Sequence, residues 1–163
     1  MKRALLALSL LVSTPAFAAG ADYAPQWLAA HNQERSALHM PPLRWSAKLA
    51  TEAQRWADTL ATRGAFEHST DRGDAGENLW MGTAGYFGAD QMIGSFLAEK
   101  RWFHPGRFPD VASNGNWASV GHYSQIIWPG TQEVGCALAK GRGNDVLVCR
   151  YWPAGNVFGQ RVG

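Results

Sequence analysis

Val134-Gly135-Cys136-Ala137-Leu138-Ala139-Lys140, then Gly141-Arg142-Gly143-Asn144, then Asp145-Val146-Leu147-Val148-Cys149-Arg150-Tyr151 is the stretch that decides the fold. Two apolar runs of strand length flank a glycine-rich turn, which predicts a hairpin. A tight hairpin puts Cys136 and Cys149 on neighbouring strands. One disulfide would then staple the pair, with two buried thiols as the alternative. Zinc on these two sulfurs alone is disfavoured, since a closed site needs four ligands. A third strand is predicted just upstream, Ser124 to Trp128, from the β-branched pair Ile126-Ile127.

The rest of the chain reads as helices and loops. Trp27, Leu28, His31, Arg35 and Leu38 fall near one face of a helix from Pro25 to Leu38, stopped by Pro41-Pro42. Ser46 is a good N-cap for a second helix, whose Leu49, Ala53, Trp56, Ala57 and Leu60 keep helical spacing up to Gly64. Residues 65–88 read as a loop carrying His68 and Glu77. A third helix, capped by Asp90, places Ile93, Phe96, Leu97 and Lys100 on one face with Glu99 beside it. Residues 104–119 read as irregular, rich in Pro, Gly and Asn. Helices followed by a sheet give an α+β fold with helices packed on the sheet faces.

Composition bounds the function. The 163 residues are 46% hydrophobic and 17% charged, as in one globular domain. Lys2 and Arg3, the apolar run Ala4 to Val12 and Ala16-Phe17-Ala18 have the layout of a secretory signal peptide, residues 1–18, ahead of a domain over 19–163. The apolar run is well short of the roughly 20 residues a membrane span needs, so stable membrane insertion is not expected. Losing Lys2 and Arg3 lowers the basic count from 15 to 13, against 13 acidic residues. A neutral mature chain has no electrostatic footprint for nucleic acid. The expected location is secreted or periplasmic.

No His-Glu-x-x-His, phosphate loop or Gly-x-Ser-x-Gly elbow is present. Gly121-His122-Tyr123-Ser124-Gln125 puts an ionisable group at the mouth of the predicted strand. Alternation along a strand would set His122 and Ser124 on one face, which invites a Ser-His-Glu hydrolase. A serine at a strand start is more often a backbone partner. His31 reads as a satisfied core histidine, with Asn32 and Arg35 tying its helix to nearby loops. His39 and His104 read as surface residues, and the eight tryptophans as core.

Four ordered pieces resemble the CAP superfamily (SCP/TAPS: cysteine-rich secretory proteins, antigen 5, pathogenesis-related proteins). They are His31-Asn32-Gln33-Glu34-Arg35 with Leu43-Arg44-Trp45-Ser46; Phe66-Glu67-His68-Ser69 with Gly76-Glu77-Asn78-Leu79-Trp80; Gly121 to Trp128; and Cys149 to Val157. The chain is similar to a bare, bacterial-type member, without the family's cysteine-rich extension. The resemblance implies a three-layer α-β-α sandwich and a central cleft with two histidines and two acids. By motif position these are His68, Glu77, Glu99 and His122. Glu99 departs in context, since Phe96-Leu97-Ala98-Glu99 stands where the family usually has Trp-x-x-Glu.

The resemblance also implies zinc or another divalent metal at His68 and His122, with Glu77 and Glu99 as further ligands or orienting groups. It further implies an apolar ligand, a sterol or fatty acid, bound by a monomer. Trp80-Met81 and Tyr86-Phe87 are candidates to line the cleft. Catalytic roles for His68, Glu77, Glu99 and His122 in a metal-assisted or Ser-dependent hydrolase are the alternative reading. A third is a structural or host-interaction module, in which the same four residues only pin loops to the sheet.

Overall fold

The computed structural model describes residues 23–163. The signal-peptide reading of 1–18, and the start of the domain at 19, fall outside them. In chain order the elements are α1 (Ala24–Ala37), β1 (Arg44–Trp45), α2 (Ala47–Arg63), β2 (Gly76–Thr83), α3 (Ala89–Leu97), β3 (Gly106–Arg107), α4 (Gly121–Ile126), β4 (Glu133–Lys140), β5 (Asn144–Trp152) and β6 (Arg161–Val162). A 3₁₀ turn, Ala98–Trp102, follows α3 directly.

The hairpin forms where the sequence puts it. β4 and β5 pair antiparallel, with Cys136 opposite Cys149 and Lys140 opposite Asp145. The two cysteines are bridged. Gly143 turns the chain at φ 86°, in the left-handed region glycine tolerates. β1 adds parallel to β4, and β2 adds antiparallel to β5, giving a sheet of order β1-β4-β5-β2.

Side chains alternate across this sheet and fix the layers. Ala137, Ala139, Val146 and Val148 meet Ala53, Ala57 and Leu60 of α2 on one face. The small residues let helix and sheet approach closely. Gly135 is the tightest point, where a Cβ would stand 2.3 Å from the Ala50 nitrogen. On the other face Leu138, Leu147 and Cys149 join Trp27, Met92, Ile93, Phe96 and Ile126. Each such Leu, Ile or Phe contributes about 1.5–3 kcal/mol by leaving water. The result is the expected three-layer α-β-α sandwich, with α2 on one side and α1, α3 and α4 on the other.

The caps of α2 are as read. Ser46 Oγ accepts from the Leu49 N–H, and Gly64 sits at φ 63°. Four readings need correction. Ser124 to Trp128 is not a strand: Gly121–Ile126 is a helix. The cause is tertiary, because buried Arg35 donates to the carbonyls of Ile126, Trp128 and Thr131 at 2.9, 3.0 and 3.2 Å. Those carbonyls are thereby lost to any strand ladder. Residues 76–83, read as loop, form β2. Polar Glu77 and Asn78 hide its alternation, and pairing with β5 supplies the order. Asp90 lies inside the first turn of α3, and Gly88 is its cap, with the Gln91 side chain accepting from the Gly88 N–H. Of the tryptophans, Trp102, Trp117 and Trp152 are exposed rather than core.

Candidate functional site: two glutamate-clamped histidines

Glu99 sits on the 3₁₀ turn and reaches the start of α4. Its Oε2 accepts from the backbone N–H groups of His122 and Tyr123 at 2.9 and 3.0 Å. A carboxylate from outside the helix thus does the capping, favoured by the helix dipole. Its Oε1 takes the His122 Nδ1–H at 2.6 Å. The ionised carboxylate can only accept, so Nδ1 carries the proton. The His122 ring stacks on Phe96, with centroids 4.7 Å apart. Two contacts hold this imidazole, and neither is a hydrogen bond to Nε2.

Glu77 repeats the device. Its Oε1 accepts from His68 Nδ1 at 2.8 Å and from the Ser69 N–H at 3.0 Å. Its Oε2 lies 2.9 Å from Arg150 Nε, its in-register neighbour on β5. The Nε–H is not aimed at that oxygen, so the contact is ionic in character rather than a well-formed hydrogen bond. The Glu77 side chain is 1% exposed and His68 is 56% exposed. For Glu99 and His122 the values are 18% and 34%.

Asn78 links the two halves. Its amide donates to the His122 carbonyl and to the Tyr151 hydroxyl, both at 3.1 Å. The Tyr151 O–H in turn donates to His31 Nε2 at 2.8 Å, because His31 Nδ1–H donates to the Trp27 carbonyl at 2.7 Å. Burial holds His31 neutral, with its pKa lowered to about 4 against the Trp27 bond that opposes the shift. Burial likewise pushes the Tyr151 hydroxyl up, out of the titrating range. His31 is therefore the satisfied core histidine expected of it. Asn32 bonds both ways with Leu43, and Arg35 donates to Pro41, as tethers of α1. Sequence reasoning missed Asn78 and Tyr151 as functional neighbours. Their signal was the position next to Glu77 in Gly-Glu-Asn and next to Arg150 in Cys-Arg-Tyr.

Ser124 is not available to His122. Its hydroxyl is buried and donates to Asn156 Oδ1 at 2.6 Å. On a helix, residues two apart point to different sides, so the shared face expected of a strand is lost. The tetrad is resolved into two His–Glu pairs. Among the described residues, no group of three or more His, Cys, Asp and Glu side chains converges to hold a metal ion. Phe87 packs edge-to-face on both Trp80 and Tyr86 toward the far end of β2, away from Glu77 at its start.

Two cavities flank this arrangement. One, of about 270 Å³, is lined by His68, Glu77, Arg72, Trp117, Asn156 and Phe158 among others; His122 does not line it. The other, of about 490 Å³, is mostly apolar and lies between the end of α1 and the end of α4. Its wall includes Leu38, Met40, Phe103 and Ile127, with exposed His39 at its edge. Among the described residues no helix is long and apolar enough to cross a membrane.

An α-β-α sandwich with paired His–Glu contacts at its sheet end defines the class. The chain belongs to the cysteine-rich secretory protein (CAP) family, whose model matches residues 28–151. It is 32% identical to pathogenesis-related protein PRMS of Zea mays, over 96% of this chain and 93% of that protein. It is 36% identical to protein PRY2 of Saccharomyces cerevisiae, over 85% of this chain but 40% of that longer one. The secreted protein RBT4 of Candida albicans is 33% identical over 85% of this chain and 37% of its own. Among solved structures, NaASP2 with Zn2+ shares the fold at a TM-score of 0.74 and 24% identity, covering 87% of this chain and 85% of its own.

Proposed function

We propose that this chain is a secreted CAP-domain protein that binds a divalent cation, zinc being the first candidate, through His68 and His122. One observation carries the reading: each imidazole gives its Nδ1–H to a glutamate, which fixes the tautomer and leaves Nε2 as the donor. That is the orientation a metal-bound histidine needs. Two imidazoles supply half of a tetrahedral shell, and water or a ligand oxygen would complete it. Glu77 and Glu99 act as orienting groups, since their oxygens are taken by His, backbone N–H and Arg150. The zinc in the NaASP2 structure and the secreted nature of RBT4 support the proposal by likeness only.

Zinc titration by calorimetry tests it. His68→Ala and His122→Ala should each weaken binding by at least roughly tenfold, and Glu99→Gln by a similar factor through lost orientation. Zinc binding that is unchanged in both histidine variants would sink the assignment.

A second reading rests on the apolar cavity of about 490 Å³, a size that suits a lipid chain or sterol ring system. Lys100 at its rim, paired with Glu34 at 2.9 Å, would meet a polar head. A fluorescent fatty acid and cholesterol are the probes. Saturable binding that Met40→Trp abolishes is the expected result, and no binding by either probe removes the reading. The Ser-dependent hydrolase has less support, because the Ser124 proton is committed to Asn156. The structural-module reading keeps the same contacts without a ligand, and the zinc titration separates the two.

A further inference from the structure

Two aromatic side chains stand exposed on one wall of the 270 Å³ cleft: Trp117 at 41% and Phe158 at 68%. Neither is a stray surface ring. Buried Phe108 stands behind both, with centroids 5.2 Å from Trp117 and 5.3 Å from Phe158. Trp117 also lies over Gly121, where an added Cβ would touch its ring at 3.4 Å. The wall is thus held in place rather than free to collapse, and adjacent exposed aromatics in a concavity mark a binding surface.

The same cleft is also lined by polar side chains, His68 and Arg72 among them. His68 is held by Glu77 through Nδ1, so its Nε2 faces away from that clamp. Exposed Arg72 spends Nη1 on the Ser69 carbonyl at 2.6 Å and keeps its other N–H groups for a ligand. The Glu77 charge is already matched by Arg150. The cleft therefore combines exposed aromatic faces with the charged donors of Arg72 and the acceptor nitrogen of His68.

We infer that this cleft binds a pyranose ring bearing a carboxylate, one unit of an acidic glycan. The C–H face of a pyranose is apolar and slightly positive, and it lies well on the negative face of an aromatic ring. Its hydroxyls both donate and accept, matching His68 Nε2 and the rim. Its carboxylate meets Arg72 in a charge-assisted, two-pronged contact. A lipid would leave the polar side chains of the cleft unpaired, and a neutral sugar would leave Arg72 unused. The inference does not rest on the metal reading.

Calorimetry and saturation-transfer NMR with trigalacturonate, run on the purified protein in a chelator, test it without interference from zinc. Binding should saturate, and the sugar C–H protons should receive saturation from the protein. Phe158→Ala, which removes only an exposed ring, should weaken affinity by roughly tenfold. Arg72→Ala should weaken trigalacturonate by a similar factor and leave the weaker binding of cellotriose unchanged. No saturation up to about 10 mM overturns the proposal. So does an affinity for trigalacturonate that Phe158→Ala and Trp117→Ala leave unaltered.

Discussion

The His68–Glu77 pair and the His122–Glu99 pair make the same contact in different settings. In both, one carboxylate oxygen takes the Nδ1–H, and the carboxylate also takes backbone N–H from the histidine's own segment. In the first pair the acid is buried and the base exposed: Glu77 stands in the sheet, its charge matched by Arg150. In the second, both partners are half-buried and the counter-charge is the N-terminus of α4. One clamp is thus built on an ion pair between strands, the other on a helix cap. Metal or ligand at the two histidines would feel similar orientation but very different supports.

That difference is open to experiment, and the largest effect is expected at the sheet. Glu77→Ala leaves the Arg150 guanidinium buried without its partner, which should cost about 3–5 kcal/mol in urea denaturation. A loss under about 1 kcal/mol would mean that Arg150 is well hydrated and that the two pairs have similar supports.

Next comes the buried histidine that connects them through Tyr151 and Asn78. His31 stays neutral when folded down to about pH 4, whereas the unfolded chain takes up its proton near 6.5. The unfolded state then binds more protons between those values, so stability falls as pH drops from 6.5 toward 4. The full shift is worth on the order of 3 kcal/mol. Replacing His31 with Gln should flatten this part of the stability–pH curve. A slope that persists means that groups other than His31 carry the acid response.

The smallest effect is expected at the cap. Glu99→Ala removes acceptors for two N–H groups at a partly exposed helix start, a loss of about 1–2 kcal/mol. It should also free the His122 ring, visible as broadened imidazole NMR signals, while His68 stays sharp. If both rings broaden together, the pairs are coupled through Asn78 more tightly than their separate anchors suggest.

Legibility followed how local each element is. The hairpin was readable because two apolar runs and a glycine turn lie within 20 residues, and the cysteine register came with it. The caps of α2 were readable because Ser46 and Gly64 act on their own helix. β2 was not, because Glu77 and Asn78 break the apolar alternation and point to opposite faces, each to a partner far away in sequence. α4 was misread for the same reason: Ile126 and Ile127 favour a strand by local preference, and Arg35 and Glu99 overrule it from two other elements.

The sequence by itself determined the layered fold and the stapled hairpin, since patterning, turn chemistry and motif order are written along the chain, and the family resemblance singled out His68, Glu77, Glu99 and His122 as candidates. Only the tertiary structure decided how the four residues divide. It set Glu77 against Arg150 and Glu99 on a helix start, and it took Ser124 away from His122. Those outcomes depend on which buried charge or N–H group finds a partner across the sheet, and no spacing along the chain encodes that.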